Sequence, residues 1–206
     1  MKSTCVIDTW NSQQYVCEAV DSALNQSHPF DEIVVVDDAS CDSSRERLEQ
    51  RFRRDSRIHL VFHSANGGQL STLATGLQHC TGDIVVFLDG DDILAPDYLS
   101  QVLKVYATRP DIDCVFVGCA QLKPVIERGL RSGVSQDVGY SVALTWSEKT
   151  WIGGPTSCLS FRLPFINRLF PYPFMGDWRI RADDFLNFAS SLAGARKFYL
   201  GQELVS

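Results

Sequence analysis

A chain of 206 residues can bury one substantial core, so a single domain over residues 1–206 is expected and two would be cramped. Apolar residues make up 45%, charged residues 21%, and the net charge is −6, which excludes the basic stripe of a nucleic-acid binder. No run approaches the roughly 18–20 apolar residues of a membrane span, and seven cysteines without a C-x-x-C pair fit a reduced, cytoplasmic setting, with peripheral membrane attachment left open.

The chain enters a strand pattern at once, at Thr4-Cys5-Val6-Ile7, which leaves no room for a leader peptide. Gln13 to Leu24 carries apolar residues at helical spacing. Glu32 to Val36 is a β-branched strand, Ser43 to Arg54 a polar amphipathic helix, and Ile58 to Phe62 a third strand. A helix over Gln69 to His79 leads to a fourth strand at Asp83 to Leu88, then a helix at Asp97 to Arg109 and a strand at Cys114 to Val117. Gln121 to Val142 is less regular and reads as a long loop toward a second, smaller half. Beyond Trp151 the chain is aromatic-rich and is expected to end in a helix around Asp184 to Ala195. Strands alternating with helices predict an α/β, Rossmann-like, mostly parallel sheet flanked by helices, with 1–118 as one half and 119–206 as the other.

In such a sheet ligands bind beyond the carboxyl ends of the strands. That rule selects three loops, Asp8-Thr9-Trp10-Asn11, Asp37-Asp38-Ala39-Ser40 and Asp89-Gly90-Asp91-Asp92, and all three are acidic. Gathered at one edge they repel unless a cation or hydrogen-bond donors compensate. Each motif has two readings. The run at 89–92 is either a solvated strand-end turn or a rigid mount of oxygen ligands for Mn²⁺ or Mg²⁺, with Gly90 letting the backbone turn tightly. Asp37 and Asp38 either cap the next helix or accept a hydrogen bond from a nucleoside. Asp183 and Asp184, beside Phe185 and Leu186, either favour a helix start or supply a general base. The four histidines show no metal-ligand spacing, and His63 is expected to satisfy local hydrogen bonds. The aromatic residues from Trp151 to Trp178 are mostly core, with a sugar-stacking surface or dimer patch as the other readings.

The order of these pieces resembles family 2 glycosyltransferases of the GT-A fold. The resemblance runs from Cys5 to Ser40, through Asn66-Gly67-Gly68-Gln69, Gly76-Leu77 and Gly82-Asp83-Ile84, to Phe87-Leu88-Asp89-Gly90-Asp91-Asp92 and Pro96. It continues in Gly153-Gly154-Pro155-Thr156-Ser157 and in Ala182-Asp183-Asp184, which is similar to the family's acidic "ED" motif. It implies inverting transfer of a sugar from a nucleotide-diphosphate sugar, with UDP-sugars favoured, to a saccharide, lipid-linked or protein acceptor. Carried over by position, Thr9, Asn11 and Asp38 would serve the nucleoside, Asp89 and Gly90 the ribose side, and Asp91 the Mn²⁺ or Mg²⁺ ion. Asp184 would be the base and Asp183 its helper. No nucleic acid is expected as partner, and a homodimer is left open.

The chain departs from the family pattern at three places. Asp8 stands where proline is usual and adds a negative charge beside the nucleotide site; Ala74 replaces a common asparagine, and Ser190 an arginine. The sequence stops soon after the acid-pair helix, which leaves open a truncated acceptor half, a minimal enzyme or a weak one. Two rivals remain: a nucleotide-binding module without catalysis, and a haloacid-dehalogenase-type phosphatase, which also carries Asp-x-Asp after a strand but on its first one.

Overall fold

The computed structural model of the chain describes residues 1–120, 130 and 133–206. Among them eight strands form one sheet. They are β1 (Ser3–Thr9), β2 (Glu32–Asp37), β3 (Ile58–Phe62), β4 (Ile84–Asp89), β5 (Cys114–Cys119), β6 (Gln136–Tyr140), β7 (Leu159–Arg162) and β8 (Arg196–Val205), in the order β3-β2-β1-β4-β7-β5-β8-β6. The first four in that order run parallel. β7 then pairs antiparallel with both β4 and β5, β8 runs parallel to β5, and β6 closes the far edge antiparallel to β8. The α/β sheet is thus parallel in its first half and mixed in its second.

Successive strand side chains point to opposite faces, and each face is buried in its own apolar layer. Cys5, Ile7, Ile33, Val35, Ile84, Val86 and Leu88 cluster with α1 (Val16–Leu24), α2 (Ser44–Phe52) and α4 (Tyr98–Thr108). Val6, Val34, Val36, Val85 and Phe87 cluster with α3 (Gln69–His79), α6 (Leu163–Ile166) and α7 (Ala182–Leu192). Burial on both sides explains why β2 and β4 are apolar throughout instead of alternating. It also fixes the strand ends rigidly beneath the loops that follow them.

Two stretches differ from the sequence expectation. The irregular region read over 121–142 contains β6, and α5 (Val142–Glu148) follows it; residues 121–129, 131 and 132 lie outside the described residues. The chain also continues past α7 into the ten-residue strand β8. Arg196 and Lys197 at its start hid it, because charged residues rarely open a buried strand. Lys197 is nevertheless 0% exposed. Its ammonium donates to the carbonyls of Ile152 at 2.8 Å and Asn187 at 3.1 Å, and to Ser191 Oγ at 2.8 Å. A buried cation is tolerable when its protons are all placed in this way. None of the seven cysteines is in a disulfide. Among the described residues no helix is long and apolar enough to cross a membrane.

Candidate active site

The register of β1 with its neighbours sets Asp8 beside Asp89 and Thr9 beside Asp37. A cavity of about 680 Å³ opens over these strand ends. Of the residues singled out from the sequence, Thr9, Asp38, Asp89, Gly90 and Asp91 line it, together with Asp8 and Trp10. Asn11 is not among the lining residues. Its amide N–H donates to Ser40 Oγ at 2.8 Å, and its side-chain oxygen accepts from Cys41 N–H at 2.9 Å, so it staples the first acidic loop to the second.

Asp38 is 3% exposed, and both of its carboxylate oxygens have hydrogen-bond partners. Its Oδ1 accepts from Gly67 N–H at 2.8 Å and contacts His63 Nδ1 at 2.7 Å, while Oδ2 accepts from Gly68 N–H at 2.8 Å. The carboxylate therefore shapes the Asn66-Gly67-Gly68 loop, and His63 orients it, as its local hydrogen-bonding reading required. Gly68 adopts a positive φ of 86°, and a Cβ there would stand 2.5 Å from Arg179 Cα. Only glycine lets the segment before α7 come this close.

The strand register sets the Asp8 carboxyl next to that of Asp89, so the two acids act on each other electrostatically. Burial, then the charge of Asp89, pushes Asp8 well above the ordinary carboxylate range. Burial pushes Asp89 up to about 7, with Asp92, Asp91 and Asp183 adding to the rise. Asp8 Oδ1 and Thr9 Oγ1 are buried without a hydrogen-bond partner at the cavity floor. Both acids hold protons more tightly folded than unfolded, so the stability they lend is complete below pH ~4 and is lost as pH rises, for Asp89 through about 7. Asp8→Asn removes the buried titrating carboxyl at nearly constant size. In metal-free protein it should raise stability at pH 8 by about 1–2 kcal/mol and flatten the dependence between pH 5 and 8. Urea unfolding at both pH values reads this, and parallel curves for variant and parent would refute it.

Asp91 is exposed at the cavity. Asp92 instead accepts from Ser157 Oγ at 2.6 Å, and the same hydroxyl accepts from Asp89 N–H at 2.9 Å. The loop before β7 is thereby tied to the end of β4. Among the described residues no three His, Cys, Asp or Glu side chains converge on a metal position. One exposed carboxylate beside a cavity still fits Mn²⁺ or Mg²⁺, because such ions take one or two protein oxygens and complete their shell with phosphate and water.

Asp183 and Asp184 open α7, and they differ in surroundings. Asp184 Oδ1 accepts from Trp151 Nε1 at 3.1 Å, and its Oδ2 pairs with Arg181 at 2.9 Å. Asp183 stands in the first turn of the helix; burial raises its proton affinity, and its charge is felt at Asp89. Two further cavity residues had no role in the sequence reading. Arg179 donates to the side-chain oxygen of Asn66, and Gln69 reaches Asp89. Gln69 was visible only as part of the Asn66-Gly67-Gly68-Gln69 string, and Arg179 carried no signal because its partner lies 113 positions away.

A parallel sheet half whose strand ends floor an acidic cavity, joined to a mixed half that brings a second acid pair, is the GT-A type of architecture. The chain belongs to glycosyl transferase family 2, whose profile matches residues 4–162. It is 29% identical over 204 residues to an uncharacterized glycosyltransferase of Nostoc sp., covering 96% of this chain and 62% of that protein. It is 32% identical over 145 residues to the uncharacterized glycosyltransferase EpsJ of Bacillus subtilis, covering 70% and 40%. Among solved structures, S. aureus TarS (residues 1–349) superposes with a TM-score of 0.75 at 21% identity, covering 98% of this chain and 58% of that one. The mannosyltransferase PcManGT of Pyrobaculum calidifontis, in complex with GDP-Man and Mn²⁺, gives 0.71 at 25% identity, covering 98% and 55%. The chain thus spans less than two thirds of the length of these proteins. Family membership sets the phosphatase reading aside.

Proposed function

We propose that this chain transfers a sugar from a nucleotide-diphosphate sugar to an acceptor hydroxyl with inversion, and that a divalent metal on Asp91 assists. The observation that carries the reading is the single cavity shared by the ends of β1, β2 and β4, lined by Thr9, Asp38, Asp89 and Asp91. Thr9 and Asp38 lie on the nucleoside side and Asp89 on the ribose side. Bound there, the metal would neutralise the leaving diphosphate. UDP-sugars are the favoured donors: TarS has been solved with UDP and with UDP-GlcNAc, whereas PcManGT was solved with GDP-Man.

Inversion is one in-line displacement. The acceptor oxygen bonds to the anomeric carbon as that carbon's bond to the phosphate oxygen breaks, and the leaving diphosphate takes the bonding electrons. The acceptor proton passes to a carboxylate on the acceptor side. Asp184 was the expected base, but both its oxygens are engaged, by Trp151 and Arg181. Asp183 has the raised proton affinity a base needs and the electrostatic link to Asp89. We assign the base to Asp183 and the positioning role to Asp184, the reverse of the order implied by position alone.

Thermal unfolding with UDP, GDP, UDP-GlcNAc and GDP-mannose, each with and without Mn²⁺, tests the reading. A ligand at about 100 times its Kd should add about 2.7 kcal/mol of stability by mass action. The expected result is a rise in Tm with one nucleotide class that needs Mn²⁺ and disappears in Asp91→Asn. Absence of any shift would sink the proposal; binding without turnover would favour the catalytically silent module.

A further inference from the structure

Gln69 is the first residue of α3, and its side-chain amide is used at both ends. Nε2 donates to Asp89 Oδ1 at 3.0 Å, and Oε1 accepts from the backbone N–H of Ala182 at 2.9 Å. The orientation of the amide is fixed by its partners, since a carboxylate only accepts and a backbone N–H only donates. The main chain reinforces the link: Gln69 N–H donates to Arg179 O at 3.0 Å and Leu70 N–H to Trp178 O at 3.3 Å. Gly68, pressed against Arg179, lets the two segments touch.

Ala182 is the first residue of α7, whose opening N–H groups have no partner inside the helix. The residue before it, Arg181, sits in the left-handed region at φ 62° and supplies no side-chain cap. Gln69 caps the helix from outside, 113 positions away in sequence. One amide therefore joins the carboxylate on the sugar-donor side to the helix that carries Asp183 and Asp184.

We propose that Gln69 is a positioning residue that sets the distance between the sugar-donor site and the acceptor-side base, so that nucleotide at Asp89 orders the start of α7. The proposal rests on the transferase reading above. Ordinary helix capping would need only the acceptor Oε1; the positioning role needs both ends.

Gln69→Glu and Gln69→Leu separate the two. Glu keeps an oxygen for Ala182 N–H and sets a carboxylate against Asp89, whereas Leu loses both bonds. Misplacement of reacting groups by about 1 Å can cost about a hundredfold in rate, so kcat should fall by about 10- to 100-fold in both variants. In Gln69→Leu the Kd for UDP with Mn²⁺, measured separately, should change less than kcat does. Hydrogen–deuterium exchange adds a readout independent of turnover. UDP with Mn²⁺ should slow exchange over Ala182–Phe185 in the parent and leave it unchanged in both variants. A Gln69→Glu enzyme with parental kcat and parental ligand-induced protection would reduce Gln69 to a cap and overturn the proposal. If the parent turns over no donor, the transferase reading fails by itself, and the exchange response to UDP with Mn²⁺ still decides whether Gln69 links the two sites.

Discussion

Asp183→Asn is expected to lower kcat by about 10²- to 10⁴-fold, the range that one positioned general base contributes. Donor affinity should change little, because the base acts only as the acceptor proton leaves. Asp184→Asn should cost less. It keeps an oxygen to accept from Trp151 Nε1 and loses the ion pair with Arg181, whose side chain is 69% exposed and whose pairing is correspondingly weak. Steady-state kinetics on the two variants, with Kd for the nucleotide measured separately, decides the assignment. If Asp184→Asn is the dead enzyme and Asp183→Asn turns over normally, the roles are those implied by family position. The acid with the higher proton affinity then has a different task.

Gly153→Ala should produce the largest loss of stability. A Cβ on Gly153 would stand 1.6 Å from Asn187 Oδ1, and Asn187 is 0% exposed in the middle of α7. Asn187 cannot simply move away. Its Nδ2 donates to Gly154 O and to Asp183 O, both at 2.8 Å, and its carbonyl accepts from Lys197. Overpacking a full site costs about 1–3 kcal/mol, and each buried hydrogen bond broken without replacement about 1–3 kcal/mol more. About 3 kcal/mol or more is therefore expected in urea unfolding. The double variant Gly153→Ala/Asn187→Ala removes the collision, so it should be less destabilised than the sum of the two single changes. Additive losses would show that the contact is relieved by some other movement. The same bonds tie the loop at 153–154 to the helix start, so kcat should fall in the folded fraction as well.

What the sequence revealed follows from how locally each signal is written. β2 and β4 were legible because burial on both faces makes Ile33–Val36 and Ile84–Leu88 apolar throughout. The acidic loops were legible because strand ends are where such sheets bind ligands. β8 was not, since Lys197 is buried by partners on two other segments and a linear pattern records none of them. The different surroundings of Asp183 and Asp184 were also illegible. Adjacent acids look alike in a string, and only the places of Trp151 and Arg181 distinguish them. Asp8 gave half its meaning: its oddity was visible, but its closeness to Asp89 depends on the register of β1 with β4. Gln69 lay inside a quoted motif, yet its reach to Ala182 belongs to the folded chain alone.

The antiparallel strand β7 also bears on how the protein is made. It is the neighbour of β4 on the side away from β1, and it is synthesised about seventy positions later. During translation β1 to β4 can assemble as soon as they leave the ribosome, but one edge of β4 keeps its backbone groups open until residues 159–162 arrive. Ser157, which ties Asp89 and Asp92 together, arrives with them. The end of β4 that floors the cavity is therefore completed by a part of the chain made long after it.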